Sequence, residues 1–488
     1  MLILWYNKIL YIKLKSKINI KRINRTISYF SIQKKLFFGF CILLFILFFA
    51  PTITSAATIY VNSSTGNDTT GDGSSGTPYK TFHKGYTSAS SSDTIDLTGT
   101  FTWTDSDETG DVAKTGYTIA KNLTIQGQSA DATIIQAASS ANTATSGVFV
   151  ISASYTVTMN DLTVRYGYKR TGSNGGGINN EGTLTVNRCS ISYNHVWHYP
   201  SWGGYGGGIR NIGTLTVNDS NIDNNYAYSQ GGGIVSAYVA AGTNTTYVTN
   251  TTVAYNSTSA TVATVGCAGI FMRSGTVYVT NSTIAYNDAP SGTGDTTGIS
   301  MESGTTLHIK NSIVAKNEVD GNNVNYASGN FFDIYNSGTL NDNGGNIFGK
   351  AYNFTFSGTS WYDVSGNGSG DSVFTLYDTA TTGSLNLDTS LAANSTLNGS
   401  QTLAITDSGS IAVDNGGTGT NNSVSVPSAD QRGATRSSTD IGAYEYAGVF
   451  GPPVSGSTWA QEAYIKAANN EFVLNGDNFG KVVSIDGD

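Results

Sequence analysis

The stretch Gly206-Gly-Gly-Ile-Arg-Asn-Ile-Gly-Thr-Leu-Thr-Val-Asn-Asp-Ser-Asn-Ile-Asp-Asn-Asn225 decides the fold. It opens on three glycines and an isoleucine. It passes through the alternating strand Leu215-Thr-Val217 and closes on Ile222-Asp-Asn-Asn225. The same order surrounds it. Gly-Gly-Gly-Ile stands at 175–178 and 231–234, with degenerate copies at Cys267-Ala-Gly-Ile270 and Thr296-Thr-Gly-Ile299. The closing asparagines Asn194, Asn225, Asn256, Asn287 and Asn317 are spaced 31, 31, 31 and 30 residues. Val186, Val217, Val248, Val279 and Ile309 keep the same intervals. Two columns with one period mark a repeat array.

A unit of this length is too short to fold alone and too rich in strand formers to be helical. Stacking each unit on the next satisfies the backbone and buries a column of Val, Ile and Leu. The period-two alternation turns one face of each strand inward. The expected class is therefore all-β, a parallel β-solenoid with successive strands ~4.8 Å apart and three short strands per turn. The triple glycines fit a bend that needs positive φ or close backbone approach. The asparagine column fits a structural ladder, each amide donating to the next at ~0.5–1.5 kcal/mol per rung. A ligand-binding asparagine row is the competing assignment. Val157-Thr-Met-Asn-Asp-Leu162, Leu123-Thr-Ile125 and Asn346-Ile-Phe-Gly349 extend the array on both sides.

Composition agrees. Of 488 residues only 12% are charged, against 58 glycines, 28 tyrosines and 39% hydrophobic residues. That excludes a mostly helical protein and a disordered one. Nine of the 26 basic residues lie in positions 1–56, which hold no acid, so the remainder sets 17 basic residues against 34 acidic ones. Such a surface repels phosphate backbones and argues against nucleic acid as a partner. Lys34-Lys35, the apolar run Leu36–Ala50 and the small residues before Ala57 follow the order of a secretory signal. The run falls short of the ~20 residues of a membrane span, and a retained N-terminal anchor is the alternative. Export to a secreted or cell-surface location is expected. Cys189 and Cys267 then allow one disulfide, and no Cys/His cluster suggests zinc.

Four family resemblances follow from quoted residues. The Gly-Gly-Gly-Ile and Ile-x-x-Asn pairs resemble polymorphic outer-membrane-protein repeats, with Ile or Val where those carry Phe. Ile59-Tyr-Val-Asn62, Gly66-Asn-Asp68, Gly71-Asp-Gly73, Pro78-Tyr-Lys-Thr81 and Asp93-Thr-Ile95 resemble the opening of secreted pectate-lyase-like β-helix proteins. Asn398–Asp414, Asp430-Gln-Arg-Gly433, Arg436 and Asp440-Ile-Gly-Ala-Tyr-Glu445 resemble the choice-of-anchor Q region that closes bacterial surface β-helices. These resemblances imply a right-handed β-helix and no particular reaction. Gly-Pro-Pro at 451–453 marks a linker, and Trp459–Asp488 resembles the opening of an FG-GAP propeller repeat, too short to complete a blade set.

The expected organisation is 1–56 signal or anchor, 57–145 N-terminal cap and first turns, and 146–350 the repeat β-helix. Residues 351–446 would hold the final turns and the choice-of-anchor Q-like region, 447–458 the linker and 459–488 a truncated FG-GAP-like start.

Three places could carry chemistry. The first is the aromatic insertion His195–Tyr205, where Trp197, Tyr199, Trp202 and Tyr205 offer rings for stacking on sugars. The alternative is a loop that folds back over a strand edge. The second is Asp288 and Glu318. They share a column that runs His195, Tyr226, Ser257, Asp288, Glu318, where paired acids would raise one pKa or attract Ca²⁺. The alternative is two solvated turn residues. The neighbouring column Arg188, Asp219, Asn250 suggests a salt bridge between Arg188 and Asp219. The third is Thr104–Asp111, an acidic stretch expected to be a hydrated loop. No cofactor and no metal site is expected beyond that Ca²⁺ option. The chain thus reads as a surface solenoid with a structural, adhesive or glycan-contacting role. A polysaccharide lyase or glycoside hydrolase acting on an acidic or neutral glycan, and a passive stalk for a missing propeller, are the alternatives. Expected partners are a polysaccharide or a neighbouring cell surface.

Overall fold

Each repeat unit lays down short strands joined by tight corners, and the computed structural model stacks these units in strict register. It describes residues 56–108, 116–170, 175–197, 203–238, 244–259, 267–289, 296–319, 322–323, 332–349, 351–352, 361–363, 372–374, 385–393, 400–436 and 438–446, together with Lys21. The protein is an all-β parallel β-solenoid.

One turn shows the plan. Ile209–Asn211 belongs to sheet three, Thr214–Asn218 to sheet one, Asn221–Asp223 to sheet two and Tyr226–Ala227 to a narrow sheet four. Three strands per turn were expected; the fourth is the two-residue strand that follows each ladder asparagine. Val186, Val217, Val248, Val279 and Ile309 pair directly, rung on rung, and none is exposed. Outward positions on sheet one carry Thr156, Thr183, Thr214, Thr245, Thr276 and Thr306 in the same register.

Two corners bend every turn, and both use the left-handed region. Between sheets one and two, Asp161, Arg188, Asp219, Asn250, Asn281 and Asn311 have φ between 46° and 56°. After sheet two, Tyr166, Tyr193, Asn224, Tyr255, Tyr286 and Lys316 have φ between 52° and 60°. Asn and Asp tolerate this conformation, whereas a bulky residue there is strained.

The ladder and the glycine motif form one device. Asn194 Nδ2 donates to Asn225 Oδ1 at 3.0 Å, Asn225 to Asn256 at 3.0 Å, Asn256 to Asn287 at 2.9 Å and Asn287 to Asn317 at 2.8 Å. Each Oδ1 also accepts the backbone N–H of the preceding asparagine. Asp333, an acceptor when ionised, ends the run by taking Asn317 Nδ2 at 2.8 Å. The third glycine of each motif faces this ladder. A Cβ on Gly177, Gly208 or Gly233 would lie 2.8, 3.0 or 3.1 Å from the amide nitrogen of Asn194, Asn225 or Asn256. The degenerate copies keep this third glycine as Gly269 and Gly298, each again within about 3.2 Å of a ladder amide nitrogen.

The N-terminal end is closed by the helix Phe82–Ser88, whose Thr81 cap accepts from Lys84 N. Phe82 is fully buried and packs on Trp103, Tyr117 and Phe149. The acidic stretch is more than a hydrated loop. Glu108 accepts Phe82 N at 2.7 Å and His83 N at 3.1 Å, and Lys80 pairs with Asp107. Burial pushes the Glu108 carboxyl up to about 7 despite those two bonds.

Residues 385–393, 400–436 and 438–446 form a clasp along the outer face of sheet two. Leu385, Leu387, Leu403, Ile405, Ile411 and Ile441 pack on Ala254, Ala285, Ile313, Ala315 and Ile347. Its polar lock centres on Arg436, whose side chain is 2% exposed. Arg436 meets Glu445 Oε2 at 3.0 Å, Asn250 Oδ1 at 3.2 Å and Gly442 O at 3.0 Å. Arg432 pairs with buried Asp430. Arg436 thus ties the clasp to the solenoid, while Asp430, Arg432, Asp440 and Glu445 bond within the clasp. Cys189 and Cys267 are both buried and free, so the disulfide allowed by their number is not formed. Burial pushes both thiols up to about 12.

Candidate functional site: an aromatic belt

Three consecutive turns leave sheet two, pass the second corner and enter sheet four as Arg165–Arg170, Ser192–Trp197 and Asp223–Tyr228. Parallel register brings Tyr168, His195 and Tyr226 into one outward column. Trp197 stands beside it, 6.3 Å from the Tyr226 ring and 4.9 Å from Tyr228. Tyr166 and Tyr193 occupy the corner, 6.1 Å apart. Together these rings form a belt across three rungs.

The belt differs from an ordinary aromatic ladder. Tyr247, Tyr278 and His308 on sheet one stack nearly parallel, at 13° and 7°, and engage their faces with one another. Most belt rings meet at 84°, 47°, 57° and 60° (Tyr168–His195, His195–Tyr226, Trp197–Tyr228 and Tyr166–Tyr193), while Trp197 and Tyr226 lie nearly parallel at 15°. Tilted rings leave face and edge area for a ligand. Trp197 is 36% exposed and Tyr193 48% exposed, two of the large hydrophobic side chains most open to solvent. Tyr166 and Tyr193 also hold the strained left-handed conformation that the next turn gives to Asn224.

His195 sits at the centre. Its Nδ1 lies 2.8 Å from Asn142 Oδ1, and burial pushes its pKa down to about 4, so the ring is neutral at pH 7. Two guanidinium groups flank the belt. Arg165 lies 4.6 Å from the Tyr166 centroid and Arg170 lies 5.6 Å from that of Tyr168.

The aromatic residues expected to act together separate in part. Trp197 joins the belt. Tyr205 bridges to Gln230, packs against the Val235–Phe271 cluster and lies under Arg273 at 5.1 Å. Tyr199 and Trp202 lie outside the described residues, as do the signal or anchor, the linker and the FG-GAP-like segment. Tyr166, Tyr168, Tyr193, Tyr226 and Tyr228 were missed. Their signal was Arg165-Tyr-Gly-Tyr-Lys-Arg170 aligned with Tyr193-Asn-His-Val-Trp197 and Tyr226-Ala-Tyr228.

Asp288 and Glu318 pair directly on adjacent strands of sheet four. Burial first, and the Asp288 charge second, push the Glu318 carboxyl up. Tyr255 and Tyr286 stack beside them, their hydroxyls bonded to clasp carbonyls of Thr389 and Leu387. Arg188 takes a different partner from the one its column suggested. It grips Asp161 of the preceding turn with two bonds of 2.7 Å, while Asp219 accepts from Asn250 at 3.1 Å. Among the described residues no three His, Cys, Asp or Glu side chains converge to hold a metal.

Asn194, Asn225, Asn256, Asn287 and Asn317 are buried beneath the corner, and their amides bond to one another and to strand carbonyls. A second ladder, unnoticed in the sequence, runs Gln126, Asn160, Asn187, Asn218 on sheet one.

No protein-family model and no curated protein matches the sequence. Among solved structures, a pectate lyase, Pel9A, is similar at a TM-score of 0.40 and 14% identity, covering 81% of this chain and 97% of its own. A pectin methylesterase from carrot is similar at 0.26 and 12% identity, covering 67% and 90%. A GH136 lacto-N-biosidase from Eubacterium ramulus is similar at 0.26 and 10% identity, covering 65% and 67%. Likeness at this level does not bear on activity.

Proposed function

We propose that this chain is an exported, surface-attached β-solenoid whose aromatic belt contacts glycans in a structural or adhesive role. The observation that carries this is the set of tilted, partly exposed rings on three consecutive rungs, built on a rigid scaffold. Sugar rings present C–H faces that stack on aromatic faces, and the rung spacing repeats those faces along the axis. The clasp, with its choice-of-anchor Q-like sequence, supports the surface assignment, and the basic N-terminus supports export.

The test is a glycan-array screen of the full chain and its Trp197→Ala variant. Binding that falls at least about tenfold in the variant supports the belt; equal binding by both proteins removes it. A second reading, a polysaccharide lyase or glycoside hydrolase, draws on the in-register Asp288–Glu318 pair and the raised Glu318 carboxyl. Release of unsaturated or reducing sugar that disappears in Asp288→Asn would establish it. Absence of release from every array-positive glycan would leave the contact role alone.

A further inference from the structure

We infer that the belt selects anionic glycans, reading a carboxylate or sulfate group through Arg165 with Arg170 as a second contact. This rests on the glycan reading of the belt.

Arg165 is pre-positioned. Its Nε donates to Gln136 Oε1 at 2.9 Å, and Gln136 Nε2 donates to Thr102 Oγ1 at 3.0 Å, so three successive rungs of sheet two fix the guanidinium. Tyr166 holds its other side, 4.6 Å away. Among the described residues no carboxylate forms a salt bridge with Arg165 or Arg170, although acids outnumber bases two to one beyond position 56. The same surface shows how arginine is handled when it is structural. Arg188, one corner away, is clamped by Asp161, and Arg432 and Arg436 are neutralised by Asp430 and Glu445. Arg165 instead keeps its terminal nitrogens for an outside partner. The nearest acid in its own column, Asp223, is two rungs away, buried and bonded to Asn221 and Asn224.

A guanidinium fork matches carboxylate and sulfate oxygens in pairs, which a lysine ammonium does not. Beside it, Tyr166 and Tyr193 offer rings to the sugar that bears the anion. Nucleic acid shares the anionic chemistry, but the acidic surround opposes a polyanion whose every residue is charged.

The experiment measures binding of the full chain to an oligoglucuronate and to its carboxyl-reduced neutral form, and to a sulfated and an unsulfated galactan. Wild type, Arg165→Gln, Arg165→Lys and Trp197→Ala are compared, with far-ultraviolet circular dichroism confirming the solenoid in each. The expected result is at least about tenfold tighter binding of one anionic probe than of its neutral form. Arg165→Gln should abolish that preference, and Arg165→Lys should retain only a salt-sensitive part of it. The uronate and sulfate arms show which anion is read. Equal affinity for charged and neutral probes, or a preference that survives Arg165→Gln, overturns the inference while Trp197-dependent binding keeps the glycan reading. Loss of all binding dependence on Trp197 overturns both.

Discussion

The same columns of the solenoid are used in two ways. In the turns at 165–170, 192–197 and 223–228, the outward column of sheet two carries Arg165, Ser192 and Asp223, and that of sheet four carries Tyr168, His195 and Tyr226. In the next three turns the first column becomes Ala254 and Ala285, followed at the corner strand by Ala315, and the second becomes Ser257, Asp288 and Glu318. Small apolar residues admit the clasp, whereas Tyr193 and Trp197 face solvent and Asp223, in the turn that the clasp first touches, is buried. The backbone repeats, and the side chains at fixed offsets decide whether a rung binds its own chain or something else. Corner tyrosines make the same point. Tyr255 and Tyr286 stack at 5° and bond to the clasp, while Tyr166 and Tyr193 meet at 60° in the open.

This contrast can be broken at four points. The boundary between the two regions is Asn256, which holds two donors and serves two acceptors, all between 2.9 and 3.1 Å. Asn256→Leu leaves those groups buried without partners, and a loss of about 4 kcal/mol is expected. Chemical denaturation should show it, with amides on both sides of the break losing protection. Arg436→Met should cost about 3–5 kcal/mol because Glu445 and Asn250 lose their cation. Its effect should stay in the clasp, with exchange rising at 400–446 and belt amides unchanged. Protection lost equally in both regions would show that clasp and belt are not separable.

A pH series sharpens the same division. Burial raises the Asp440 carboxyl from 3.8 to about 6, and the fully buried Asp223 likewise to about 6. A carboxyl whose folded pKa is raised stabilises the protonated fold. That contribution is complete below about pH 3.8 and is lost as pH rises through 6. Clasp amides should therefore exchange faster at pH 7 than at pH 5 after correction for intrinsic rates, and Asp440→Asn should flatten the change. The smallest effect belongs to the outward threonines. Thr185→Val on sheet one should shift stability by no more than about 0.5 kcal/mol, since its hydroxyl makes no bond among the described residues. A larger loss in thermal denaturation would give that face a structural role.

The period was legible because Asn194 through Asn317 and Val186 through Ile309 repeat in two independent columns, and register follows from them. The glycine motif was legible as a bend, but its tie to the ladder needed coordinates, since Gly177 and Asn194 are 17 positions apart in sequence. Arg188 was assigned the wrong partner because Asp219 and Asp161 occupy equivalent corners on either side of it, and spacing alone does not choose between them. The clasp was hidden for another reason. Asn250 and Arg436 are 186 residues apart, and no local pattern encodes such a contact. The belt escaped because a 27-residue interval separates Tyr168 from His195, so its first rung falls out of the 31-residue alignment.

The most direct test of the belt is hydrogen exchange of the full chain with and without a saturating uronate oligosaccharide. Slowed exchange confined to 165–170, 192–197 and 223–228 is the predicted result. Protection that falls on the clasp or on the threonine face of sheet one, with these three segments unchanged, would contradict it.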